Sequence, residues 1–311
     1  MADIPPSKRV TVMVLLRKLI NILAPPAYQP APVPIRSRGR RRKIAIILFL
    51  VLLTALTVGC GAQPQAETTS TKPVTITVFA AASLTEAFTE IGHNFEAAQP
   101  DVKVIFNFAG SQQLAHQLSQ GAPADVFASA NTAQMQTAIE AGRVTDNAAQ
   151  TFVHNRLVVI YPADNPAGLV TLQDLSKPGL RLILAAEDVP VGRYSQQFLD
   201  KAAQDPAFEA DFKDGLLTNV VSYEQSVKAV LTKVALGEGD AGIVYNSDVT
   251  ADIADQVSRI DIPDDLNTIA TYPIAVVSDT ESPNPSQNFV AYVLSPAGQD
   301  VLAKFGFTGV P

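Results

Sequence analysis

Short runs of β-branched and aromatic residues alternate, from residue 74 onward, with longer segments in which apolar residues recur every three or four positions. The first pattern is typical of strands, and the second of helices that bury one face. Strands are predicted at 74–79, 102–108, 125–130, 156–161, 182–185, 241–245, 256–262 and 272–277. Helices are predicted at 84–98, 112–119, 133–141, 195–203, 227–236 and within 288–305.

This alternation predicts an α/β fold built on mainly parallel sheets flanked by helices. In such folds, ligands bind beyond the carboxyl ends of strands, where helices begin. Ligand-binding residues are therefore expected at the junctions between a strand and the following helix.

Four helix starts share one kind of chemistry, because each offers backbone N–H groups or a hydroxyl rather than a charged side chain. They lie at Ser83, at Ser111, in residues 189–194 and in residues 223–227. A helix start carries unpaired N–H groups and about half a positive charge, so several converging starts could hold an anion without Lys or Arg. For Ser83 a simpler interpretation competes, since Glu86 three residues later completes a capping box that would serve only its own helix.

A basic and then apolar segment precedes this body. Residues 36–43 hold five Arg and one Lys, residues 44–58 contain no charge, and Gly59 and Cys60 follow. This order is typical of a secretory signal, and the apolar stretch is short for a membrane-spanning helix. The LTVGC motif ending at Cys60 resembles a bacterial lipobox, although Thr57 stands where the family usually has Leu. An uncleaved signal anchor and a free cysteine are the alternatives.

Charge is divided unevenly over the 311 residues. Residues 1–60 hold 10 of the 23 Lys and Arg and one of the 30 acids, which leaves the remainder with a formal charge of −16. An acidic body argues against nucleic acid as a partner, because a phosphate backbone is bound by basic surface. Cys60 is the one cysteine, so an intrachain disulfide and a cysteine-based zinc site are excluded. The three histidines lack metal-motif spacing.

Several motifs in this body resemble those of the periplasmic molybdate-binding proteins of ABC importers, a type II solute-binding family. The matching motifs are VFAAASLTEAF (78–88), NFAGSQQLAHQLSQGAPADVFASAN (107–131), VPVGRYSQQFL (189–199) and SVKAVLTKVALGEGDAGIVYNSDV (226–249). They occur in the family's order.

The resemblance implies a set of ligand contacts to a tetrahedral oxyanion. These are the hydroxyls of Ser83 and Ser111, the backbone amides of Val191 and Val227, and the hydroxyl of Tyr245. Molybdenum would be bound only as the oxyanion, molybdate or tungstate, with no further cofactor. Asp125 is interpreted as structural, and the role of Arg193 is left open.

The resemblance also implies an architecture with a ligand cleft between two lobes. We expect an extension and signal peptide at 1–60, a flexible tether at 61–73, a first lobe from 74–154 and 270–311, and a second lobe from 155–269. The protein would be a monomer, anchored through lipid on Cys60 at the outer face of the membrane. It would deliver its ligand to an ABC permease and its ATPase.

Other functions stay open from the residues alone. A binding protein for sulfate or phosphate is one alternative, although protonated phosphate would benefit from an acidic acceptor. An enzyme is disfavoured because the G-x-S-x-G motif is absent and no His is placed as a base. A purely structural surface lipoprotein is the third alternative.

Overall fold

The computed structural model describes residues 73–310, so the leader and Cys60 lie outside the described range. The strands are β1 Val74–Ala81, β2 Val102–Ala109, β3 Val126–Ala128, β4 Gln150–Asn155, β5 Leu157–Pro162, β6 Leu182–Ala185, β7 Val220–Glu224, β8 Ala241–Tyr245, β9 Val257–Asp261, β10 Ala270–Val276 and β11 Thr308–Gly309. The helices are α1 Thr85–Ala98, α2 Ser111–Ser119, α3 Thr132–Glu140, α4 Pro190–Ala202, α5 Phe212–Thr218, α6 Val227–Ala235, α7 Pro283–Leu294 and α8 Pro296–Lys304.

The predicted α/β class is confirmed, with two sheets and helices packed on both. The first sheet has the strand order β11-β4-β10-β3-β1-β2, and the second has the order β7-β6-β8-β5-β9. The first sheet thus takes its strands from residues 74–155 and 270–309, and the second from residues 157–261.

The prediction of mainly parallel sheets is wrong in detail, because both sheets are mixed. β1 pairs in parallel with β2 and β3, and β6 with β7 and β8. Each sheet also contains a strand that is antiparallel to both of its neighbours. In the first sheet β10 is antiparallel to β3 and β4, and in the second β5 is antiparallel to β8 and β9. Hydrophobic periodicity reports which face of a strand is buried and carries no information about its direction.

The chain crosses between the sheets twice, and the two crossings contact each other. The first takes one residue, Arg156, between β4 and β5, and the second follows β9. On the return crossing the side chain of Asn267 accepts a hydrogen bond from the Leu157 amide at 3.0 Å and donates to the Leu157 carbonyl at 2.9 Å. This pairing satisfies buried backbone groups at the point where neither sheet can do so.

Most element positions match the sequence pattern, with three informative differences. Helix α4 begins at Pro190 rather than near Ser195, because proline fits the first turn of a helix, where its missing N–H is not needed. Strand β4 has the polar sequence QTFVHN and was not predicted. Helix α5 and the edge strand β7 were also not predicted.

Aromatic packing fixes helix α1 against the first sheet. The fully buried ring of Phe88 lies with its centroid 5.8 Å from that of Phe152, 6.0 Å from Phe289 and 6.1 Å from Phe106. Burying one such ring stabilises the fold by about 1.5–3 kcal/mol. The start of α1, which follows Ser83, is therefore held in place by the core beneath it.

Residues 73–310 contain neither a membrane-spanning helix nor a metal-binding cluster. No helix there is both long and apolar enough to cross a membrane. No group of three or more His, Cys, Asp or Glu side chains in the same range is arranged to hold a metal ion.

Candidate functional site

A small pocket between the two sheets brings together all five residues singled out in the sequence. From the first sheet and its helices come Ala81, Ala82, Ser83, Gly110, Ser111 and Ala130, and from the second come Val189, Pro190, Val191, Val227 and Tyr245. Residues as far apart in sequence as Ala81 and Tyr245 therefore meet at one point.

Ser83 lies in a single turn of 3-10 helix, Ala82–Leu84, that joins β1 to α1. It is 2% exposed, and its hydroxyl oxygen lies 2.9 Å from the hydroxyl of Tyr272 on β10. The competing interpretation of Ser83 as the cap of its own helix is wrong, because Leu84 occupies the cap position and no side chain caps α1. Glu86, the other half of the expected capping box, pairs with Lys228 instead.

Ser111 is the first residue of α2, immediately after β2 and Gly110. It is 1% exposed, and its hydroxyl oxygen accepts a hydrogen bond from the amide of Ala130 at 3.0 Å. Gly110 is required for close approach, since a Cβ there would lie 2.5 Å from the carbonyl oxygen of Gln225. That carbonyl belongs to the segment leading into α6, so the glycine lets two helix starts approach each other across the pocket.

Val191 and Val227 bring the first turns of α4 and α6 to the pocket. Both are in positions where the backbone N–H has no partner within its own helix. Ser226 caps α6 by accepting a hydrogen bond from the amide of Ala229 at 3.3 Å. At the start of α4, a Cβ on Gly192 would lie 2.0 Å from the Ala186 carbonyl oxygen, so only glycine permits this turn.

Tyr245 is the last residue of β8 and is 1% exposed. Its hydroxyl has no hydrogen-bond partner among residues 73–310. A buried unsatisfied hydroxyl costs about 1–3 kcal/mol, so its presence here calls for an explanation beyond packing. Burial raises the pKa of Tyr245 well above its usual value, which keeps the hydroxyl protonated and able to donate.

No Lys, Arg, Asp or Glu within residues 73–310 lines this pocket. Charged side chains lie at the start of α6, where Lys228 contacts Glu86 at 2.8 Å and the fully buried Asp248 at 3.2 Å. Burial acts to lower the pKa of Lys228, but the two carboxylates outweigh it and raise that pKa. The pocket itself therefore presents neutral donors aligned with helix starts, an arrangement that suits a small anion.

Other residues considered in the sequence lie elsewhere. Arg193 is exposed and does not line the pocket. Asp125 immediately precedes β3 and does not line the pocket; it accepts hydrogen bonds from the Thr77 amide of β1 and from the Thr280 hydroxyl. Its interpretation as structural agrees with these contacts.

Three polar residues behind the pocket were not found from the sequence. They are Asn155, Ser247 and Tyr272, joined in a buried hydrogen-bonded cluster. Tyr272 begins the predicted strand 272–277, and a tyrosine in a strand pattern indicates no role for its hydroxyl.

The chain matches known solute-binding proteins over nearly all of the described range. Residues 76–308 match the family model for bacterial extracellular solute-binding proteins. The chain is 41% identical to the molybdate-binding protein ModA of Mycobacterium tuberculosis over 230 residues, which cover 74% of this chain and 83% of that protein.

Two solved structures share the fold. The periplasmic molybdate-binding protein of Azotobacter vinelandii aligns with a TM-score of 0.65 and 19% identity, over 76% of this chain and 99% of that one. The sulfate-binding protein SubI of Mycobacterium tuberculosis aligns with a TM-score of 0.68 and 20% identity, over 76% and 87%. At 19–20% identity, these similarities establish the shared fold and nothing more.

Family membership implies an extracytoplasmic location and partnership with an ABC transporter, and solute-binding proteins are not an enzyme class. The resemblance seen in the sequence motifs is thus confirmed: the chain belongs to the bacterial extracellular solute-binding protein family and is related within it to the molybdate-binding proteins.

Proposed function

We propose that this protein binds molybdate in the pocket between its two sheets and delivers it to an ABC permease driven by an ATPase. The observation that carries the proposal is the convergence of Ser83, Ser111, Val191, Val227 and Tyr245 on one uncharged pocket. The relatedness to the ModA proteins, which are named for molybdate binding, supports the same ligand.

The donor chemistry suits a fully ionised tetrahedral dianion, which offers only acceptors. A hydrogen bond to a charged group contributes about 1.5–3 kcal/mol. Five such bonds, after the cost of desolvation, are sufficient for micromolar or tighter binding, which needs about −8 kcal/mol. Protonated phosphate would need an acceptor, and none of the five groups carries a negative charge. Tungstate has nearly the size and shape of molybdate and would bind in the same way.

Binding would couple to closure of two lobes, the first made by residues 74–154 and 270–311 and the second by 155–269. Ser83 and Ser111 belong to the first of these, and the other three contacts to the second. An anion that touches both lobes binds the closed state better and shifts the population toward it. The permease would then recognise the closed shape. We infer that the protein acts as a monomer without catalytic activity, and that lipid on Cys60 tethers it to the membrane after residues 61–73.

Isothermal titration of the full-length chain with molybdate, tungstate, sulfate and phosphate tests the ligand. We expect tight binding of the first two ions and weak or no binding of sulfate, whose smaller radius leaves some donors out of reach. Ser83→Ala and Ser111→Ala should each weaken molybdate binding by about tenfold or more. Ser286→Ala is the matched control, because Ser286 is also fully buried but donates to a carbonyl within α7, away from the pocket.

Sulfate affinity equal to that for molybdate would contradict the proposed selectivity and favour a general oxyanion carrier. Full molybdate affinity in both pocket variants would contradict the site.

A further inference from the structure

Tyr272 lies directly behind Ser83 and does not line the pocket. Its side chain is fully buried on β10, and its hydroxyl lies 2.9 Å from the Ser83 hydroxyl oxygen. Either hydroxyl could donate in this contact, so the direction of the hydrogen bond depends on what else Tyr272 contacts.

Asn155 bears on that direction. Its side-chain oxygen accepts a hydrogen bond from the backbone N–H of Arg156 at 2.9 Å, and because an N–H can only donate, the orientation of the amide is fixed. The amide nitrogen, which can only donate, then faces the Ser247 hydroxyl at 2.8 Å and the Tyr272 hydroxyl at 3.4 Å. Tyr272 thus accepts a hydrogen bond from Asn155, and its own proton is available to the Ser83 hydroxyl.

Ser111 shows the same arrangement by a different route. Its hydroxyl oxygen accepts a hydrogen bond from the backbone N–H of Ala130, which has no alternative role. A donor therefore approaches each pocket serine from behind, and the serine's own proton is free to point into the pocket. At Ser111 that donor is the backbone N–H of Ala130, and at Ser83 the group in the same position is the Tyr272 hydroxyl.

We propose that Tyr272, oriented by Asn155, is a positioning residue that fixes Ser83 as a hydrogen-bond donor toward the bound oxyanion. This inference rests on the proposed function, because it assigns a role in the same site. Burial raises the pKa of Tyr272 well above its usual value, so its proton stays in place across the ordinary pH range. Without this donor the Ser83 hydroxyl is free to rotate, and part of its time is spent with its proton turned away from the ligand.

A double-mutant cycle tests the proposal. Molybdate binding is measured by isothermal titration for the wild type, Tyr272→Phe, Ser83→Ala and the double variant, all in the full-length chain. We expect Tyr272→Phe to weaken binding roughly three- to tenfold in the wild-type background. The same change should have no further effect once Ser83 is alanine, because Tyr272 acts only through that hydroxyl.

Tyr292→Phe is the matched control. The Tyr292 ring packs against Phe95, near the end of α1, and does not line the pocket, so this variant should bind molybdate as the wild type does. The titration stoichiometry reports the folded fraction of each variant, so loss of fold is separated from loss of affinity. An equal loss of affinity from Tyr272→Phe in both backgrounds would show a merely structural role and overturn the proposal. So would full affinity in Tyr272→Phe. A wild type that binds sulfate but not molybdate would contradict the proposed ligand instead, and the cycle would then be read with sulfate.

Discussion

At the scale of single residues, the pocket contains groups that the fold alone does not need. The buried Tyr245 hydroxyl has no partner among residues 73–310, and the first-turn amides of Val191 and Val227 have none within their helices. Each is a donor whose desolvation cost is recovered only if an acceptor enters the pocket. Stability and binding therefore oppose each other at these positions.

The Tyr245→Phe variant should change stability and molybdate binding in opposite directions. Removing an unsatisfied buried hydroxyl should leave the ligand-free protein as stable as before, or more stable by up to about 1 kcal/mol. The same change should weaken molybdate binding by about tenfold. Thermal unfolding with and without molybdate measures both effects. The idea fails if the variant loses stability without ligand and keeps the full molybdate-induced rise in Tm.

At the scale of elements, the pocket depends on where helices begin. Helix α6 starts at Val227 because the Ser226 hydroxyl caps it, and the same cap occurs at the start of α8, where Ser295 accepts from the Gly298 amide, also at 3.3 Å. The two caps are alike in geometry, but only the first sits beside the pocket.

Ser226→Ala and Ser295→Ala form a matched pair for separating stability from binding. Each should lower the free energy of unfolding by about 1 kcal/mol, because a helix N-terminal donor loses its partner. Only Ser226→Ala should also weaken molybdate binding, since the frayed first turn no longer holds the Val227 amide toward the anion. Denaturant unfolding and titration calorimetry give the two quantities. Equal molybdate affinities in the two variants would argue against a role for the Val227 amide.

At the scale of the whole molecule, polar contacts join elements of the two sheets around the pocket. Lys228 at the start of α6 reaches Glu86 on α1, and the Gln112 side chain donates to the Gln225 carbonyl at 2.9 Å. The first contact is an ion pair between partly exposed groups, which is worth at most about 1 kcal/mol. Because it spans the proposed lobes, it should stabilise the closed state selectively.

Glu86→Gln should therefore speed dissociation of molybdate by roughly two- to fivefold and leave association nearly unchanged. Glu90→Gln is the control. Glu90 lies one turn further along α1 and is as exposed as Glu86, but it pairs with Lys304 of α8, which belongs to the same proposed lobe. Stopped-flow kinetics at low and high salt measure the effect, which should shrink as salt screens the pair. Identical dissociation rates in the two variants would exclude Glu86 as a closure contact.

Local sequence determined the α/β class and most helix and strand positions, and the family resemblance supplied the five pocket residues. These follow from patterns within a few residues of each other: periodicity gives the elements, and serine, glycine or proline at a strand–helix junction marks a helix start. The motifs around Ser83, Ser111 and Tyr245 were short and contiguous, so the family resemblance could be read from them directly.

Only the tertiary structure decided the strand directions, the convergence of the helix starts on one pocket, and the identity of the polar residues that lie behind that pocket. Tyr272 contacts Ser83 across 189 residues of sequence, and Lys228 contacts Glu86 across 142. Such contacts depend on how the chain crosses twice between its sheets, and no local pattern encodes a distance between segments so far apart. The helix starts were legible in the sequence because serine, glycine and proline at a strand–helix junction act locally, whereas their convergence on one pocket is a property of the packed core.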